Sequence, residues 1–353
     1  MGDVSIDLVL VGFGHVARRF VRLLRERGDR LARDHGLTTR VVGIATRRHG
    51  CVVAPSGLDA QRAADLVAAG KPLGDGPLGG DEQRARDAAD VIARAAAAST
   101  SPVVMIETTV LDIERGEPAA SHIRAAIAAG LHVVTANKGP IACAYRDLRD
   151  AARARGVQFL FEGTVLDGIP VFNLVRETLP AVRVTGFRGV VNTTANYALE
   201  AMERGQELDE AIAEMQRAGI AEADASLDVD GWDAAAKAAV LVNVLMDGTI
   251  TPAEVDRAGL RSLTGHDVRG ALQRGQRYKL VSAAWIEGGV IRARAAPEAL
   301  DRRDPLAALR GLDNAIVFRT DLLGDVIVTE CDGSLTETAY ALLSDLVTVR
   351  RRL

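Results

Sequence analysis

Lys237 stands four residues after Asp233 in Asp233-Ala-Ala-Ala-Lys237, a stretch that reads as helix, so both side chains share one face. Alone, such a pair is an ordinary surface ion pair worth ~0.3–0.5 kcal/mol. The residues before it change the weighting. Glu222, Asp224, Asp228, Asp230 and Asp233 place five carboxylates in twelve residues. Three readings stand side by side: a solvated acidic loop, a calcium loop, or a site for a cationic group beside a reactive lysine. The calcium reading lacks the ligand order and the glutamate at its twelfth position. The third suits the ammonium of an amino acid. A second lysine, Lys138, lies in Thr135-Ala-Asn-Lys-Gly-Pro140, at the carboxyl end of an expected strand, which is where open α/β sheets bind ligands.

A nucleotide signature opens the chain. The apolar run Ile6 to Val11 is followed at once by Gly12-Phe-Gly14-His-Val-Ala17 and then by Val16, Phe20, Val21 and Leu24 at helical spacing. Gly12 allows the tight turn, Gly14 lets backbone approach a pyrophosphate, and Ala17 lets helix pack on strand. The amides at the helix start then face the phosphates. The bland alternative is an ordinary tight turn, but strand and helix flank the motif correctly. The second strand, Arg40 to Thr46, ends in Arg47-Arg48, where an NAD site usually carries an acid. Arginine suits the 2′-phosphate of NADP, unless the pair merely solvates a strand end.

These residues need a frame. Further strands are expected at 102–107, 131–135 and 157–161, and helices at 81–98, 118–129 and 140–155, with a Gly/Pro-rich passage at 50–80. Alternating strands and helices imply parallel βαβ units. The fold class is therefore α/β: a Rossmann-type doubly wound parallel sheet, joined to a second, α+β domain. Later strands are expected at 182–192, 278–287, 314–320 and 325–329, helical patterns up to Asp247, and a last helix at 336–349. The division expected is 1–160 with 335–353 for the dinucleotide-binding domain and 161–334 for the second domain, to which the family resemblance given below assigns substrate binding, catalysis and dimerisation.

Composition removes other classes. The 353 residues suggest two domains at about 150 each. Lys plus Arg is 43 and Asp plus Glu is 47, a net charge of −4, too balanced for a protein that mainly holds nucleic acid. No segment reaches the roughly 18 apolar residues of a membrane span; the best run, Ala238 to Met246, carries Asn243. The acidic N-terminus is no signal peptide, and Gly2 lacks the Ser/Thr a myristoyl site needs, since residue 6 is Ile6. Cys51, Cys143 and Cys331 form neither a zinc spacing nor a disulfide framework, and a reducing cytoplasm is expected.

Several motifs in order resemble homoserine dehydrogenase in its short form. They are the glycine turn, Gly116-Glu-Pro118, Ser121-His-Ile-Arg124, Val133 to Pro140, Phe161 to Pro170, Arg188 to Asn192, Asn196-Tyr197, Ala221 to Lys237, Asp313-Asn-Ala and Ser344-Asp-Leu. The resemblance implies interconversion of homoserine and aspartate 4-semialdehyde with NADP or NAD. It implies Lys237 as the proton donor and acceptor, Lys138 beside substrate and nicotinamide, and Asp233 supporting both Lys237 and substrate. Glu222 and Asp228 would hold the amino-acid end, with Asn192, Thr194 and Tyr197 in the substrate site. Gly12, Phe13, Gly14, His15, Val16, Arg47, Arg48, Thr108, Thr109, Lys138 and Gly333 would line the cofactor. Glu162, with backbone at Val165, Asp167 and Ile169, would hold a monovalent cation such as Na⁺ or K⁺. A homodimer through the second domain is also implied. Chemically this coheres: hydride transfer requires a proton to join or leave the oxygen, and two lysines beside one another lower each other's pKa and stabilise an alkoxide. The length leaves no room for a regulatory tail, so threonine feedback through one is not expected.

The chain departs from the family pattern in places. Thr193 and Ala195 replace a glycine and a threonine, Gly163 an alanine, and Asp167 a glycine. The late Gly-Pro-Gly-Ala-Gly loop reads Glu330-Cys-Asp-Gly-Ser334. Glycines let backbone approach a ligand closely, so Glu330 and Asp332 add bulk and negative charge there. Two other readings follow: a paralogue acting on a different amino or hydroxy acid, and an NADP-binding sensor without turnover.

Overall fold

A computed structural model describes residues 2–218 and 224–353. The chain divides into two compact units, the first comprising residues 1–140, 144–168 and 334–353, the second 141–143 and 169–333. The first unit runs β1 (Val4–Val11), α1 (His15–His35), β2 (Leu37–Ala45), β3 (Cys51–Val53), α2 (Ala60–Ala68), β4 (Gln83–Ala85), α3 (Ala88–Ala98), β5 (Val103–Glu107), α4 (Ala119–Ala128), β6 (His132–Thr135), α5 (Lys138–Arg155) and β7 (Phe159–Leu160). Its sheet order is β4-β3-β2-β1-β5-β6-β7. From β2 through β7 the pairs are parallel, as a doubly wound sheet requires, whereas β3 and β4 extend the β2 edge antiparallel.

The central strand shows why the sequence folds this way. Residues Ile6 to Val11 of β1 are all buried, as in a parallel strand covered on both faces. Its one charge, Asp7, is buried but accepts from Arg40 Nε at 2.9 Å and Nη2 at 3.0 Å, a two-toothed pair with β2. In α1, Ala17, Phe20, Val21 and Leu24 face the core, and the helix ends at left-handed Gly36. The expected helix over 81–98 starts only at Ala88, where Asp87 accepts from Asp90 N, and Gln83–Ala85 is instead an edge strand. That strand has no apolar alternation to announce it.

The second unit contains β8 (Val184–Val190), α6 (Thr193–Glu203), α7 (Leu208–Arg217), α8 (Ser226–Val229), α9 (Trp232–Leu245), β9 (Asp256–Arg257), α10 (Gly265–Gln273), β10 (Gln276–Glu287), β11 (Val290–Asp301), β12 (Asn314–Thr320) and β13 (Gly324–Glu330). Its sheet order is β13-β12-β8-β10-β11-β9, antiparallel except for β11 with β9. Asn243, the polar break in the apolar run of α9, exchanges hydrogen bonds with Ile250 N and O at 2.9 and 2.8 Å. The strand β11 was not expected: Ala, Arg and Pro297 argue against it. Pro297 is tolerated because β9 pairs only with Arg294 and Ala295, leaving that edge open. The chain then returns to the first unit as α11 (Leu335–Arg352), whose Leu342, Leu346 and Val349 share a core with Phe20.

Candidate functional site

In the first unit, Gly12 closes β1 with φ +85°, and a Cβ there would lie 2.5 Å from the Thr108 carbonyl. Only glycine fits. Gly14 is the N-cap of α1 without a side-chain cap, and no atom lies within 4 Å of where its Cβ would stand. The helix therefore begins with open amides and open space, which fits a pyrophosphate. Phe13 is buried, His15 exposed and Val16 half-buried. Gly12 N donates to Ala45 O, so the end of β2 lies beside this turn. Exposed Arg47 and Arg48 follow two and three residues later, in a bend that Thr46 closes through His49 N and Gly50 O.

The next strand ends complete this edge. Thr108 Oγ1 donates to Gly12 O at 3.0 Å, joining the β5 end to the glycine turn. Glu107 is fully buried, and its carboxylate accepts from Thr109 N, Thr109 Oγ1 and Thr135 Oγ1. Burial raises its pKa, opposed by those hydrogen bonds. Asn137 caps α5 through Gly139 N, which makes Lys138 the first helical residue, half-buried. Gly139 has no room for a Cβ, which would meet Asp112 O at 2.5 Å.

Glu162 and Val165 are buried in and after a 3₁₀ turn. Asp167 has φ +36°, the conformation a glycine would take more cheaply, and its carboxylate accepts from Thr338 Oγ1 at 2.8 Å. Ile169 belongs to the second unit. Gly163 sits where a Cβ would crowd Ala341 and Ala136 at 3.2 and 3.3 Å, which explains the missing alanine methyl.

In the second unit, Asn192 gathers the carboxylates. Its Nδ2 donates to Asp228 Oδ1 at 2.6 Å and to Asp233 Oδ2 at 2.8 Å, while its Oδ1 caps α6 at Ala195 N. Lys237 Nζ lies 3.5 Å from Asp233 Oδ2 and donates to Val191 O at 2.5 Å. Burial first, and then the neighbouring Asp233, push the Asp228 carboxyl above the usual aspartate range, opposed by hydrogen bonds from Asn192 and Thr194. The acidic run therefore divides. Asp228 and Asp233 join the lysine; Asp224 accepts from Ser226 N, and Asp230 pairs with Arg261 at 2.8 Å. Among the described residues no group of three or more His, Cys, Asp or Glu could hold a metal ion. Glu222 lies outside the described residues.

Tyr197 does not turn its hydroxyl to this group: it donates to Glu214 Oε1 at 2.6 Å, binding α6 to α7. Glu330 is buried, and Asn314 Nδ2 donates both to its Oε2 and to Thr193 Oγ1, at 3.1 and 3.0 Å. Two departures from the family pattern thus meet on one asparagine. Asp332 is exposed at φ +55°, a conformation aspartate tolerates better than most residues, and Gly333 follows it.

Sequence reasoning missed Glu107, the Val191 carbonyl and Lys279. Lys279 is 1% exposed and donates to Asn196 Oδ1 at 2.5 Å and Leu309 O at 2.7 Å. Asn196 in turn holds the Gly311 and Asp313 carbonyls. Burial lowers the Lys279 pKa to about 8. A lone lysine in Tyr278-Lys-Leu gives no hint of this.

Comparison with known proteins gives a consistent picture. Residues 12–162 match the family model for the homoserine dehydrogenase NAD binding domain, and residues 170–347 that for homoserine dehydrogenase. The NAD(+)-dependent homoserine dehydrogenase of Pseudomonas canavaninivorans is 36% identical over 345 residues, 98% of this chain and 96% of that protein. The homoserine dehydrogenase of Methanocaldococcus jannaschii is 33% identical, over 97% and 98%. Among solved structures, a putative homoserine dehydrogenase from Archaeoglobus fulgidus superposes with a TM-score of 0.83 at 27% identity, covering 98% of this chain and 99% of that one. A hyperthermophilic archaeal homoserine dehydrogenase in complex with NADPH gives 0.81 at 26%, covering 99% of each.

Proposed function

The chain belongs to the homoserine dehydrogenase family of oxidoreductases, and on that premise we propose that Lys237 carries the proton as L-homoserine and L-aspartate 4-semialdehyde interconvert. The observation that carries this reading is the Asn192-Asp228-Asp233-Lys237 cluster. A bound nicotinamide supplies the hydride acceptor. In the oxidative direction the Lys237 side chain takes the hydroxyl proton as C4 loses its hydride to the nicotinamide, and the lysine then returns it to water. Asp233 orients Lys237 from 3.5 Å. Asp228, with Asp233 and Glu222, offers the negative charge an ammonium needs, and Thr194 and Asn192 fix Asp228. Tyr197 supports this pocket through α6. In the first unit, Lys138 and the Gly12–Val16 turn, with Thr108 and Thr109, face the cofactor.

The chain binds NAD(P). We propose NADP as the preferred form, supported by Arg47 and Arg48 at the β2 end, although the Pseudomonas relative is named for NAD(+). A single buried carboxylate at Glu162, with the backbone at Val165 and Asp167, suits a monovalent cation more than a divalent one, which demands more charge. A homodimer through one face of the six-stranded sheet is supported by a groove of about 510 Å³ lined by Phe187, Arg188, Trp285 and Val317, with Trp285 40% exposed. No helix among the described residues is long and apolar enough to cross a membrane.

The test is purified protein with homoserine and NADP or NAD, followed at 340 nm. Homoserine-dependent reduction is expected, faster with NADP at limiting cofactor. The Thr193-Asn314-Glu330 contact favours the second reading, a paralogue for another amino or hydroxy acid. Turnover of such a substrate with none of homoserine would establish it, and tight cofactor binding without any turnover would establish a sensor.

A further inference from the structure

Nothing in the proposed reaction uses Glu107, yet it is a wholly buried carboxylate at the ligand edge of the parallel sheet. Burying a carboxylate is costly unless its oxygens are satisfied. Here Oε1 accepts from Thr109 N at 2.8 Å and from Thr109 Oγ1 at 2.5 Å, and Oε2 accepts from Thr135 Oγ1 at 2.7 Å. An apolar side chain would fill the same space without that cost, so packing alone does not account for an acid. What distinguishes a carboxylate is that it offers acceptors only, in two directions.

Each direction leads to a different strand end. The Thr109 bonds fold the chain back immediately after β5. That places Thr108, whose N donates to Val11 O and whose Oγ1 donates to Gly12 O, against the glycine turn. The Thr135 bond commits the hydroxyl proton to Glu107. The Thr135 oxygen is then free to accept from Asn137 N at 2.9 Å. Asn137 caps α5 and closes the ring by donating to Thr109 O and Val110 O at 3.2 and 3.3 Å. Glu107, Thr109, Asn137 and Thr135 thus form one closed circuit between the glycine turn and Lys138.

We propose that Glu107 is a positioning residue that sets the glycine turn, the Thr108-Thr109 loop and the Lys138 end of α5 in register for the nicotinamide cofactor. This rests on the reading of those elements as the cofactor side. Glu107→Gln keeps the shape but replaces one acceptor with a donor. Thr109 N cannot turn away, so the new amide faces Thr135, whose hydroxyl loses its proton acceptor.

The test uses the full chain and NADPH, titrated by fluorescence, with Tm recorded on the same samples. Glu107→Gln is expected to raise the NADPH Kd about tenfold, the loss of roughly one hydrogen bond's positioning effect. It should lower kcat as well, with the homoserine KM within about twofold of wild type. Glu107→Asp, which keeps the charge but shortens the reach, is expected to fall between the two. A merely structural role would lower Tm and the active fraction while leaving the Kd of the folded protein unchanged, and that result overturns the proposal. Should Glu107→Gln not fold, Thr135→Val removes the other end of the same bond and carries the same expectation. If wild type binds neither NADPH nor NADH, the cofactor reading itself fails and the proposal with it. If wild type binds and neither variant shifts Kd, only the positioning role fails.

Discussion

Alanine at position 14 separates what the glycine turn does for the fold from what it does for a ligand. Gly14 has φ −77° and ψ −158°, a backbone any residue adopts, and nothing lies within 4 Å of its would-be Cβ. Gly14→Ala therefore meets no protein atom. Reduced freedom in the unfolded chain stabilises by ~0.4–1 kcal/mol, and the poorer N-cap costs a similar amount. The net is about zero, and Tm should move by no more than about 2 °C. The methyl does enter the space where phosphate oxygens would approach the α1 amides. Losing one charge-assisted bond there costs roughly 1.5–3 kcal/mol, or about 10- to 150-fold in Kd. Gly12→Ala is the contrast: φ +85° and a Cβ 2.5 Å from the Thr108 carbonyl should cost ~2 kcal/mol or more and lower Tm as well as binding. Calorimetry of both variants, with thermal melts and NADPH titration, reads the two effects apart. Unchanged NADPH affinity in Gly14→Ala would refute the reasoning.

Three further outcomes are expected. Lys237→Met should abolish homoserine oxidation, by at least about 100-fold, while NADPH binding stays within twofold or so; substantial turnover in stopped-flow would remove the lysine from proton transfer. Asp228→Asn should melt at or above wild type near neutral pH, because the folded carboxyl has a raised pKa and is held ionised at a cost. The group's stabilising contribution is complete below the ordinary aspartate range and is lost as pH rises from there through the raised folded pKa. The variant's advantage should therefore vanish toward acid, and a variant less stable than wild type at pH 7 contradicts this sign. Arg47→Ser with Arg48→Ser should weaken NADP about tenfold or more and leave NAD nearly unchanged; equal losses for both cofactors in binding titrations would assign the arginines another role.

The first unit was legible because its chemistry is local. A strand buried on both faces reads as a continuous apolar run, a glycine turn must follow it, and the α1 stripe recurs at helical spacing. The polar edge strand β4 and the Ala/Arg-rich β11 carry no such pattern, since neighbours rather than composition define them. In the site, Asp233 and Lys237 were visible because four residues make one helical turn. Asn192 reaches Asp228 and Asp233 across 36 and 41 residues, which no spacing rule anticipates. Nor could the acidic run be sorted in advance. Asp228 and Asp230 differ only in which face of a short turn they occupy, yet one meets Asn192 and the other Arg261.

The return of α11 bears on how the chain reaches its native state during synthesis. Phe20 near one end of the sequence and Leu346 near the other lie in the same apolar core, and Arg350 reaches back to the Gly36 carbonyl at 3.2 Å. Apart from residues 141–143, the second unit is contiguous from 169 to 333. It can acquire nearly all its chain while the earlier-made first unit still exposes the groove that α11 will fill. The usual order, in which the amino-terminal domain folds first on the ribosome, is therefore inverted for completion if not for onset.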